Sequence, residues 1–229
     1  MGIVQGFTEF LPVSSSGHLV IFQELLNFNT PGILLEVVLH AGTVLAVLFF
    51  YRKELINLSS KYLALILAGT VPAGIVGLLL NDSIERLFQS LSLVAFALII
   101  TGVMNYISDK QKTGEERFTA RDALVIGLFQ AFAIIPGISR SGSTILAALL
   151  LGKERSKAAQ FSFLLSIPAV LGANFLEILS LNGSVDIPYT TLLFGFLAAF
   201  ISGLWIQHLL QCHPCPVPPL KILQLHKFF

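Results

Sequence analysis

Apolar residues run in five stretches long enough to cross a bilayer, at roughly 33–51, 62–80, 91–107, 160–181 and 189–210. The yardstick is a hydrocarbon core about 30 Å thick, which takes about 20 helical residues to span. Two further apolar regions are broken in the middle. Residues 1–11 and 19–26 are half-length pieces on either side of a polar stretch that starts at Pro12 and ends at His18. Residues 123–135 and 145–151 likewise flank Pro136 to Thr144. A polar break containing Pro and Gly is tolerated at membrane depth only where protein or a cavity surrounds it, so each region predicts a re-entrant helical hairpin. The chain therefore reads as an all-α polytopic membrane protein with about five full transmembrane helices and two re-entrant hairpins.

Basic residues test this assignment, because a hairpin that spanned instead would reverse every later loop. Loops 52–61, 108–122 and 152–159 hold three, four and three Lys or Arg, whereas loops 81–90 and 182–188 hold one and none. By the positive-inside rule the first group is cytoplasmic. The two hairpins then enter from opposite faces. An internal repeat accounts for that geometry: a shift of 125 residues superposes Gly2 on Gly127, Gln5 on Gln130, Phe7 on Phe132, Ser14 on Ser139, Ser16 on Ser141 and Gly17 on Gly142. Three spans separate the copies, and an odd number inverts the second. The organisation expected is one membrane domain over 1–210, with repeat one at about 1–107, repeat two at about 121–210, and an atypical Pro-rich tail at 211–229. Inverted repeats with broken helices meeting near the midplane are also a transporter architecture, which makes transport the competing reading.

Composition agrees with the hydropathy pattern. Of 229 residues 55% are hydrophobic and 12% charged, and mean hydropathy is +0.82. Net charge is +1, with no basic stripe of the kind that binds nucleic acid; no nucleic-acid partner is expected. Cys212 and Cys215 form a lone C-x-x-C in the tail, a weak metal or redox signal without a second pair. The N-terminus lacks a basic region and carries Gln5 and Glu9 where a signal peptide would be apolar.

The candidate chemistry lies in the two breaks. Arg140 is the one charge between Asp122 and Lys153, and burying it costs at least ~2.5 kcal/mol on insertion scales. A snorkelling arginine is the bland alternative, but Ser139, Ser141, Ser143 and Thr144 surround this one with hydroxyls. Gly137 and Gly142 allow a tight loop whose N–H groups run into a helix N-terminus, which is an anion site. The first break offers what the second lacks. Gln5 and Glu9 are four apart and share a helix face, so their oxygens could hold a hard divalent cation with phosphate oxygens and water. Ser14, Ser15 and Ser16 precede His18, and a serine near a histidine permits nucleophilic attack with proton transfer. Glu36 and His40, also four apart, are assigned a structural role. The set suits phosphoryl chemistry on a lipid phosphate whose tail stays in the bilayer.

These residues carry a resemblance. Gly2-Ile-Val-Gln-Gly-Phe-Thr-Glu-Phe-Leu-Pro-Val-Ser-Ser-Ser-Gly-His18 and Pro136-Gly-Ile-Ser-Arg-Ser-Gly-Ser-Thr144 resemble the two signature motifs of the bacterial undecaprenyl-diphosphate phosphatase family associated with bacitracin resistance, and Phe161-Ser-Phe-Leu-Leu-Ser-Ile-Pro168 is similar to that family too. The resemblance implies an integral enzyme of the bacterial inner membrane. It would hydrolyse undecaprenyl diphosphate to the monophosphate at a site open to the periplasmic side, recycling the carrier lipid for cell-wall synthesis. It implies catalytic roles for Glu9, Ser15, His18 and Arg140, with either Ser15 or His18 as nucleophile. Substrate contacts would come from Gln5, Ser14, Ser16, Ser139, Ser141 and Thr144, and a divalent cation, Mg2+ or Ca2+, would sit at Glu9 and Gln5. A homodimer is left open. The family pattern also leads to an expected further span after 210, which residues 205–229 do not resemble. The alternatives are accordingly a polyprenyl-phosphate transporter or an inactive truncated homologue.

Overall fold

A computed structural model describes residues 1–27, 34–88, 90–111, 114–180 and 187–211. The tail from 212, with both cysteines, and most of the loop at 182–188 lie outside the described residues. Among the described residues ten α-helices follow one another. They are α1 (Gly2–Phe10), α2 (Ser15–Leu25), α3 (Leu34–Phe50), α4 (Arg52–Ile56), α5 (Ser60–Phe88), α6 (Leu91–Asp109), α7 (Ala120–Phe132), α8 (Arg140–Leu150), α9 (Arg155–Ser180) and α10 (Tyr189–Gln211). Among the described residues the sole β-type pairing is an isolated bridge between Glu115 and Lys153.

Five of these helices are the predicted spans. Ser60–Leu80 of α5, Leu91–Asp109, Arg155–Leu176 of α9 and Tyr189–Leu210 of α10 are long and apolar enough to cross a membrane, and Leu34–Phe50 is a shorter apolar helix. Their outward faces are apolar: Leu79 is 75% and Phe194 71% exposed, a surface suited to lipid rather than water. Helix α5 runs on past the predicted end at 80, but its backbone breaks there, with Leu80 at φ −118°, ψ 15°.

The four remaining long pieces are the arms of the two hairpins. At about 1.5 Å per residue none reaches across a core of about 30 Å, so each arm turns back inside the protein. The repeat is visible in how the first arms dock. Helix α1 lies along α10 and α7 along α5, and the contacts are equivalent. A Cβ added to Gly2 would meet the Gly195 carbonyl oxygen at 2.4 Å, and one added to Gly127 would meet that of Gly69 at 2.3 Å. Glycine at these points lets helix backbones touch.

The loop between α6 and α7 is anchored by a buried cation. Lys153 is 2% exposed; its Nζ donates to Glu115 Oε2 at 2.8 Å and to the Arg117 carbonyl at 2.7 Å, and lies 2.9 Å from Asp122 Oδ2. Asp122 also closes a capping box with Thr119 at the start of α7, two donors satisfied reciprocally. Burial pushes the Asp122 carboxyl up, but the hydrogen bonds from Lys153 and Thr119 outweigh it and hold the group below its ordinary value.

Candidate active site

The first hairpin turns at Leu11 to Val13. Ser14 follows with φ 67°, a left-handed conformation that is uncommon outside glycine, and caps α2 by accepting from the Gly17 N–H at 3.3 Å. Its hydroxyl also lies 3.3 Å from that of Ser16. The second hairpin repeats the device: Ser139 caps α8 by accepting from the Gly142 N–H at 3.1 Å, and its hydroxyl lies 3.3 Å from that of Ser141. Here the left-handed residue is Gly137, φ 92°, and a Cβ on it would meet the Val94 carbonyl oxygen at 2.5 Å.

Helix α6 holds both loops in register. Thr101 Oγ1 donates to the Gly137 carbonyl at 2.8 Å and accepts from the Ser139 N–H at 2.9 Å. One turn later, Asn105 Nδ2 donates to the Pro12 carbonyl at 2.5 Å. Ser141 Oγ donates across the hairpins to the Leu11 carbonyl at 3.3 Å. Neither Thr101 nor Asn105 was singled out from sequence. An amide in an otherwise apolar span was the available signal, because such a group needs a partner inside the protein.

With the loops set, three of the sequence candidates converge on the carboxylate of a fourth. Glu9 Oε1 accepts from Arg140 Nη2, joining the two hairpins. Glu9 Oε2 accepts from the Ser15 hydroxyl at 2.6 Å and from Gln5 Nε2 at 3.0 Å. Gln5 is fully buried and Glu9 nearly so. The other candidates are placed differently. Ser14 and Ser139 are the caps of α2 and α8, and Ser16 and Ser141 lie in the first turns of those helices. Thr144 turns away, with Oγ1 2.5 Å from the Ser162 hydroxyl of α9. His18 puts Nδ1 2.8 Å from the Ser14 carbonyl oxygen and lines a cleft with Val13, Leu98, Thr101, Gly102 and Asn105. No described hydrogen bond joins His18 to Ser15. The histidine that does face the cluster is His40, whose Nε2 lies 3.9 Å from Glu9 Oε2. Its bond to Glu36 is to the backbone carbonyl, at 2.8 Å, not to the carboxylate.

Gln5 and Glu9 do not make a site for a resident cation as they stand. Gln5 presents its amide nitrogen to Glu9, while its Oε1 is buried without a partner among the described residues. Both Glu9 oxygens are engaged by donors, and a guanidinium in contact repels a second cation. A hard divalent ion takes six or more oxygens, so with Glu9 paired to arginine most of them would have to come from water and from phosphate.

The comparisons agree with the motifs. Residues 1–212 match the family model described as bacitracin resistance protein BacA. The chain belongs to this family. Its relatives include a protein named undecaprenyl-diphosphatase from Halothermothrix orenii, 44% identical over 227 residues that cover 92% of this chain and 86% of the relative. A Bacillus cereus protein named undecaprenyl-diphosphatase 4 is 42% identical, covering 95% and 89%. Another undecaprenyl-diphosphatase, from Carboxydothermus hydrogenoformans, is 43% identical over 89% of this chain and 82% of its own length. Family membership gives the paired hairpins a shared context: the arms that carry Glu9 and Arg140 both lie inside the matched segment.

Proposed function

We propose that this chain is a membrane-embedded phosphatase that hydrolyses undecaprenyl diphosphate to undecaprenyl phosphate and inorganic phosphate. The observation that carries the reading is the Arg140–Glu9–Ser15 cluster, in which a phosphate-binding group, a base and a hydroxyl meet at the junction of two hairpins. In the free protein Arg140 and Glu9 neutralise each other. A diphosphate carries more charge than a carboxylate and accepts bidentate hydrogen bonds, so it draws the guanidinium off Oε1. Its oxygens also meet the N-terminus of α8, where free N–H groups favour an anion.

Glu9 is then a base already in contact with Ser15. It takes the hydroxyl proton as Ser15 Oγ attacks the terminal phosphorus, and the bond from that phosphorus to the bridging oxygen breaks. Undecaprenyl phosphate leaves with that oxygen, which takes the proton from Glu9 and so restores the carboxylate. Water, deprotonated at the same carboxylate, attacks the phosphoserine; inorganic phosphate leaves and the Ser15 hydroxyl is restored. The 2.6 Å contact favours Ser15 over His18 as nucleophile, and one copy of the chain supplies every group used. The divalent cation, Mg2+ or Ca2+, belongs to this proposal as the counter-ion of the diphosphate rather than as an ion resident on Glu9 and Gln5. The loop charges favour a multi-pass protein of the bacterial plasma membrane with the site open to the outer side.

The test is phosphate release from undecaprenyl diphosphate by purified protein in detergent, with and without a chelator. Release that the chelator abolishes and Mg2+ or Ca2+ restores is expected. A protein that binds the lipid and releases no phosphate would overturn the assignment.

A further inference from the structure

The aim of Ser15 depends on the backbone of the residue before it. Ser14 stands at φ 67°, ψ 99°, left-handed in φ and with ψ beyond the small left-handed region open to L-residues. Such a residue persists only where its surroundings over-determine it. Downstream the hold is local: the Ser14 hydroxyl accepts from the Gly17 N–H at 3.3 Å, and its carbonyl accepts from the His18 N–H at 3.2 Å. Upstream the hold comes from another helix.

The turn before Ser14 closes on itself through the Val13 N–H, which donates to the Leu11 carbonyl at 2.8 Å. Pro12 is buried, and among the described residues its carbonyl takes no backbone N–H. Its donor is Asn105 Nδ2, at 2.5 Å. A carbonyl only accepts, so the amide has to show it the nitrogen. That leaves Asn105 Oδ1 buried without a partner among the described residues, a cost that an aliphatic side chain would not carry. The same oxygen lies against α8: a Cβ added to Gly142 would come within 3.3 Å of it. The amide therefore reaches hairpin one while resting on hairpin two.

Thr101, one turn earlier on the same face of α6, serves the other loop. Its Oγ1 bonds to the Gly137 carbonyl and the Ser139 N–H, next to Arg140. One helix face thus carries two grips, one on the loop that leads to Ser15 and one on the loop that leads to Arg140. We propose that Asn105 is a positioning residue for the hydrolysis: by holding the Pro12 carbonyl it keeps Ser14 in its left-handed conformation and Ser15 Oγ aimed at Glu9 Oε2, 2.6 Å away. This rests on the reading of Ser15 as the nucleophile. No described hydrogen bond joins Asn105 to Ser15 or Glu9, so it acts through the turn.

Asn105→Leu keeps the bulk and loses the donor. It exchanges one orphaned oxygen, Oδ1, for another, at Pro12, so thermal unfolding in detergent should barely shift. Misplacing a reacting group by about 1 Å can cost about 100-fold. In Asn105→Leu, kcat for phosphate release should therefore fall by about 10- to 100-fold, with KM within about twofold. Asn105→Ala, which trims the side chain without adding bulk, should do the same. Thr101→Val strips two bonds from the Arg140 hairpin instead and should raise KM. A second readout needs no lipid: the rate at which a fluorophosphonate modifies Ser15, followed by mass spectrometry, should fall in Asn105→Leu in parallel with kcat and fall less in Thr101→Val. Equal labelling of wild type and Asn105→Leu overturns the proposal, as does an unlabelled Ser15 in the wild type, a rise in KM with kcat intact, or a loss of labelling that Thr101→Val matches. A wild type that releases no phosphate yet shows the Asn105-dependent labelling overturns the proposed substrate and upholds the positioning role.

Discussion

The two hairpins are copies of one design that have been given opposite chemistry. Both turn on a serine-capped helix, with the cap accepting from the glycine N–H three residues on. Both dock their first arm through glycine onto a span of the other repeat. At the 125-residue shift, Ser15 falls on Arg140, Glu9 on Ile134 and His18 on Ser143. The nucleophile candidate and the phosphate-binding candidate are thus the same position in two copies, one residue past the cap. The backbone duplicates a way of presenting a side chain where the two hairpins meet, and substitution at that place divides the work. Hairpin one keeps the acid and the hydroxyl; hairpin two keeps the cation and has Ile134 where its copy has Glu9.

If the division is as described, the largest effect comes from removing either charge that joins the copies. Arg140→Ala and Glu9→Gln should each reduce phosphate release by about 1,000-fold or more, since electrostatic groups at a reacting centre are worth several kcal/mol. The double variant should lose little beyond either single one, because the groups act as a unit. Additive losses in phosphate-release assays would show that the hairpins act separately.

A smaller effect separates the repeat's docking from its chemistry. Lys153→Met leaves Asp122 buried beside Thr119 without its cation, at a cost of about 3 kcal/mol, measurable as lowered thermal stability in detergent. The sign with pH follows from the depressed Asp122 carboxyl. Its contribution is present above the unfolded value of 3.8 and is lost as pH falls through the lower folded value. Lys153→Met should weaken that acid dependence, leaving the part that the Thr119 hydrogen bonds supply.

The smallest effect compares the caps themselves. Ser139→Ala should destabilise by about 1 kcal/mol, the usual worth of an N-cap. Ser14→Gly removes the same kind of cap but relieves a non-glycine residue at φ 67°; glycine at a cap costs only a few tenths of a kcal/mol, so its net change should be near zero. Equal losses in the two unfolding curves would mean that the Ser14 conformation carries no strain.

What was legible beforehand is what depends on neighbours in the chain. Hydropathy located the five spans and the polar breaks, because a bilayer imposes a length on every apolar run. The odd number of spans between similar motifs gave the inversion, and Gln5 and Glu9 lie on one face because helical spacing puts them there. Arg140 stood out because charge in an apolar run is rare and costly. All of this is local arithmetic.

Which atoms meet was decided only by the tertiary structure. That Glu9 is gripped by Arg140, 131 residues away, depends on α6 fixing both loops through Thr101 and Asn105. His18, adjacent to the serines in sequence, turns to the Ser14 carbonyl, whereas His40, assigned a structural role from its spacing to Glu36, faces the carboxylate from α3. The surroundings of Gln5 and Glu9 were hidden for the same reason: spacing puts two side chains on a face, but whether an amide shows its oxygen or its nitrogen to its neighbour, and what else has reached the carboxylate, depends on groups arriving from other helices.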